Sequence, residues 1–173
     1  SDFFNEKNYI ELVKNYIGGT YYNEEENYAV SMSFLSTVKE LTNYFEDRRI
    51  DTLVYNSAPG YRGYYQALYK KYFEAKPITK ALKTKTMSQE ISVNNYMFYI
   101  ANMTNPWCDS NDLPGLKKIF KIIDLNNISR LKDTESAAKL AAVVAKEIYD
   151  IVAEDHKDDP EKKGGDNGDG TDG

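Results

Sequence analysis

Ala137, Ala141, Val144, Ile148 and Ile151 recur at alternating steps of four and three, and this spacing constrains the chain more than any other feature. Side chains three and four apart share one face of an α-helix, and a seam of this period is what paired helices bury. Ala137, Ala138, Ala141, Ala142 and Ala145 keep one end of the helix slim, so that another helix can approach closely. Asp133-Thr134 stands just ahead, where side-chain oxygens can cap its free N–H groups.

Weaker versions of the pattern run along the chain. Tyr9, Leu12, Val13, Tyr16 and Ile17 form a first stripe, ended by Gly18-Gly19. Phe34, Val38, Leu41 and Phe45 form a second. Asn23 and Glu24-Glu25-Glu26 suit the start of that helix, and Glu46-Asp47-Arg48-Arg49 is expected to mark its exposed end. Residues 50–55 fit helix or strand equally well. Tyr61, Tyr64, Tyr65, Leu68, Tyr69, Tyr72 and Phe73 cover one half of a helical cylinder, which Pro77 is expected to stop. Residues 78–86 read as a basic connector with at most one helical turn.

Thr86 and Gln89 have capping-box spacing before a stripe of Val93, Tyr96, Met97, Ile100 and Met103. Residues 105–112 read as a loop. Leu113-Pro114 then opens a short helix carrying Leu116, Ile119, Phe120 and Ile123. The expectation is an all-α fold: a bundle-like single domain of five or six helices over residues 1–154, then a disordered acidic tail over 155–173.

The chain's 173 residues are a one-domain length, and its net charge is −5. Glu154 and the residues after it hold eight acids and three lysines. Residues 154–173 therefore account for the whole net charge, and the rest of the chain balances. Within the body, residues 61–85 hold seven bases (Arg62, Lys70, Lys71, Lys76, Lys80, Lys83, Lys85) against Glu74 alone. No apolar run approaches the ~20 residues that cross a bilayer. A single cysteine, Cys108, rules out an internal disulfide and suits a reducing compartment. No membrane partner is expected, and the expected location is cytoplasmic or within a virion, with secretion left open.

Two chemistries compete for the aromatic segment. Rings beside Arg62, Lys70 and Lys71 could stack bases and hold phosphates. The same spacing serves any helix face that packs into a core or against another subunit. Lys76, Lys80, Lys83 and Lys85 extend the basic set that a polyanion would contact. Asp166, Asn167, Asp169 and Asp172 in the tail offer oxygen ligands without the spacing of an EF-hand. His156, the only histidine, lies where the last helix meets the tail, far from the buried pocket a nucleophilic triad needs. Asp109 beside Cys108 disfavours a thiolate. No catalytic, cofactor or metal residues are assigned, and a non-enzymatic role is expected.

The segments Leu116-Lys-Lys-Ile-Phe-Lys-Ile-Ile-Asp124 and Asp133-Thr-Glu-Ser-Ala-Ala-Lys-Leu-Ala-Ala-Val-Val-Ala-Lys-Glu-Ile148 follow an order of short helix, acidic turn and alanine-rich helix. In this part of the C-terminal third the chain resembles the helical head–tail connector proteins of tailed phages. The resemblance implies a ring-forming virion component. Both this reading and the apolar helix faces lead to one expectation: a structural subunit that self-associates or joins a larger assembly. Its interface candidates are the seven apolar residues of the 61–73 stripe together with Ala137, Ala141, Val144 and Ile148. Nucleic-acid or polyanion binding through the basic set is the alternative.

Overall fold

In a computed structural model the described residues are 6–17, 20–57, 60, 63, 76–85 and 89–157. They form six α-helices: α1 (Glu6–Ile17), α2 (Tyr28–Ser57), α3 (Lys76–Thr84), α4 (Val93–Ala101), α5 (Leu116–Ile123) and α6 (Thr134–Lys157). A 3₁₀ segment, Leu125–Arg130, joins α5 to α6, and the described residues include no strand. The all-α expectation therefore holds.

The seam that dominates the sequence becomes the middle of the molecule. Ala137, Ala138, Ala141, Ala142, Val144, Ala145 and Ile148 of α6 are fully buried, and α1, α2, α4 and α5 all pack on this helix. Ala137, Ala141, Val144 and Ile148 were candidate contacts for another subunit. That assignment is corrected: their small side chains let α6 lie close to several helices of its own chain, so they offer a partner no surface.

α2 runs antiparallel to α6. Its early turns meet the late turns of α6, where Ser33 and Tyr149 share a 2.7 Å hydrogen bond and the Phe34 and Tyr149 rings meet edge-on at 5.0 Å. Further on, the Arg49 charge acts on Asp133 at the start of α6. α5 is antiparallel to α6 too, with Gly115 against Ile151 and Lys118 bonded to Glu147.

Several helix ends differ from the sequence expectation. Asn27, not Asn23, caps α2 by accepting from Val30 N–H at 3.1 Å, and Asn23 closes the preceding turn by accepting from Glu26 N–H. Glu24, Glu25 and Glu26 thus lie before the helix. The cluster 46–49 does not end α2, which continues to Ser57 and makes residues 50–55 helical. Arg48 is buried beneath the surface, its guanidinium 5.2 Å from the Tyr44 ring centroid, while Arg49 pairs with Glu46 one turn back at 3.0 Å.

Pro77 lies in the first turn of α3, where the missing N–H breaks no helical bond. The expected connector is therefore mostly helix. Ser92, not Thr86, caps α4 by accepting from Asn95 N–H at 3.2 Å. Asp133 caps α6 as expected, accepting from Ser136 N–H at 2.8 Å. That bond holds its carboxyl below the usual range.

Candidate interaction surfaces

The loop at residues 105–112 carries the chain's only tryptophan. Trp107 is 48% exposed, yet the backbone that presents it is braced from several sides. Asn105 is buried; its side-chain oxygen accepts from Trp107 N–H at 3.0 Å, and its amide donates to Thr79 Oγ1 of α3 at 3.2 Å. Cys108 Sγ lies 3.7 Å from the Tyr99 carbonyl. Lys85 reaches Asp112 Oδ1 at 2.9 Å and Asp109 Oδ2 at 3.8 Å. Tyr99 Oη donates to the other Asp112 oxygen at 2.9 Å.

Electrostatics follow from these contacts. Burial first, then the Asp112 and Asp109 charges, push the Cys108 thiol up to about 12, so it stays protonated at neutral pH. Burial and the bond to Asp112 raise the Tyr99 phenol as well. The Asn111 N–H holds Asp109 low. Above the loop, Lys83 Nζ sits 4.7 Å from the centre of the Trp107 ring. A cation over the ring face is attracted by its quadrupole, so ring and ammonium form one amphipathic knob.

A second surface lies at the late end of α6. Ile91, Pro114 and Ile151 line an open groove of about 490 Å³ together with Asp150, Glu154 and Asp155. Tyr96 Oη donates to the Pro114 carbonyl and fixes one wall. Burial and the Asp155 charge push that phenol up to about 12. Asp150 is occupied within the chain, accepting from Tyr21 Oη and, at 2.7 Å, from Lys146 Nζ. Burial pushes its carboxyl up, but these two donors outweigh burial and leave it low. A third hollow, of about 670 Å³, lies between Met103, Phe120 and Leu125, with Lys117, Lys121 and Asp124 beside them.

The sequence candidates distribute unevenly over these surfaces. Tyr61, Tyr64, Tyr65, Leu68, Tyr69, Tyr72 and Phe73, with Arg62, Lys70 and Lys71, lie outside the described residues. Lys76 opens α3, and Lys80 and Lys83 follow within the same helix. Lys80 is exposed, Lys83 leans on Trp107, and Lys85 is committed to the acids of the loop. His156 is exposed in the last turn of α6. Among the described residues no group of three or more His, Cys, Asp or Glu side chains could hold a metal ion. None of the helices there is long and apolar enough to cross a membrane. The tail oxygens lie outside the described residues.

Sequence reasoning passed over Trp107 as part of a loop. The signal was a lone tryptophan among Asn, Pro, Asp and Ser, where nothing local buries a ring. No family model matches the chain, and no curated protein or solved structure matches it either.

Proposed function

We propose that this chain is a structural subunit that works by protein–protein contact, self-associating or joining a larger assembly, with the Trp107 loop as a contact surface. The single observation that carries the reading is a half-exposed tryptophan on a loop whose backbone is already fixed. Large aromatic side chains supply much of the energy of protein interfaces, and a pre-ordered loop loses little freedom on binding. A ring-forming virion component is one form of such a subunit.

Native mass by light scattering, at low and moderate salt and over a range of concentrations, tests this. A discrete oligomer is expected to persist in moderate salt. Because Trp107 is the only tryptophan, its emission should shift to the blue as the oligomer forms. Trp107→Ala should lower the native mass while leaving the melting temperature nearly unchanged. A monomer at all concentrations, with constant emission, counts against the reading.

Lys83 over the Trp107 ring, with the exposed Lys80 one turn earlier on α3, supports a second reading, polyanion binding. Such binding weakens steeply with salt, because each phosphate contact releases counterions. Titrating a labelled single-stranded oligonucleotide at low salt tests it, and no measurable affinity ends it.

A further inference from the structure

We infer that the Trp107–Lys83 knob of one copy seats in the groove lined by Ile91, Pro114 and Ile151 on a second copy. This rests on the reading of the chain as an assembly subunit and names both halves of the contact. Three observations carry it. The Trp107 ring is half exposed and carries a positive charge on its face. The groove is open, and its lining sets the apolar Ile91, Pro114 and Ile151 beside the acids Glu154 and Asp155. Its open volume, about 490 Å³, exceeds that of an indole ring and leaves room for a lysine stem.

Charge complementarity gives the contact its register. With the indole on the two isoleucines, the Lys83 ammonium meets Glu154 and Asp155, and Lys80 on the next turn of α3 lies behind it. Asp150 keeps its bonds to Lys146 and Tyr21, so the pairing leaves that clasp intact. Glu154 gives up only a 3.9 Å approach from Lys157, in which both side chains are mostly exposed. Such an exposed pair is worth little.

Knob and groove share no residue. One copy can therefore donate its knob to one neighbour and accept the knob of another. A head-to-tail contact of this kind closes into a ring or continues as a filament, according to the rotation it imposes.

The test uses two full-length variants. Trp107→Ala lacks the knob but keeps the groove. The double variant Glu154→Lys with Asp155→Lys keeps the knob but repels it from its own groove. Each alone should be monomeric where the wild type assembles. Mixed in equal amounts, they should form a dimer and stop there, because only one productive contact remains. In that mixture all tryptophan emission comes from the knob-bearing variant, and it should shift to the blue on mixing. If the wild type assembles but the double variant keeps its full native mass, or if the mixture stays monomeric, the groove is not the receptor and the inference falls while the assembly reading stands. If the wild type never leaves the monomer, both fall.

Discussion

Gly115 shows how much a single position can carry. It sits at φ +73, directly before α5, and a Cβ placed there would lie 2.5 Å from Ile151 Cδ1. The flexible end of Ile151 can turn aside; the backbone cannot, because the left-handed region costs a residue with a side chain roughly 1–2 kcal/mol. Gly115→Ala is therefore expected to lower stability by about that amount in a denaturant titration. The loss should stay nearly the same in an Ile151→Val background, which removes the contact and leaves the φ angle. A few residues on, Arg130 performs the matching task at the other end of α5, donating to the carbonyls of Ile122, Ile123, Asp124 and Asn127. The Ile122 and Ile123 carbonyls, in the last turn of the helix, have no partner within it, so one guanidinium closes α5 and ties it to the 3₁₀ segment.

Between elements, α6 is held by shape on one side and by polar clasps on the other. The alanines let α2 come close, and Tyr149 is held by Ser33 and Thr37 where the helices are bulkier. Ala141→Leu adds three carbons where no space exists, which costs about 1–3 kcal/mol and should show as a lower melting temperature. Asp150 clasps the segment before α2 through Tyr21 and braces α6 through Lys146. Its carboxyl is held low, so this contribution is complete above the unfolded-state value of about 3.9. It is lost as pH falls through the lower folded value. Asp150→Asn should therefore be less stable than wild type at pH 7, by about 1 kcal/mol given the exposure of the pair. The two should converge in acid, as thermal melts across pH would reveal.

On the scale of the whole molecule, one central helix touches four others, while the last third of α2 outruns the core. Ile50 and Leu53 there are about half exposed. Amide exchange should be slowest in α6 and in α2 up to Phe45, and faster from Arg49 onward, because local opening follows the amount of buried contact. Uniform exchange along α2 would contradict this account. The same distribution sets core apart from surface: the enclosed alanines hold the fold, and Trp107 stands half exposed outside it.

Helix type was legible in the sequence because the period of 3.6 is a local property. Apolar residues three and four apart announce a helix whatever it packs against, as Phe34, Val38, Leu41 and Phe45 did for α2. Helix ends were less legible. Asn23 and Asn27 are chemically the same cap, and only the bond to Val30 N–H chose between them. Periodicity also could not say what a seam would meet, since a face that packs inside the chain and one that packs on a neighbour are written alike. Only the tertiary structure decided that Ala137 to Ile148 were enclosed by four helices. It alone raised Trp107 onto a braced loop, because the bonds from Asn105, Thr79, Lys85 and Asp112 join residues far apart along the chain. Local spacing encodes the elements, and which surfaces remain for a partner depends on how those elements consume one another.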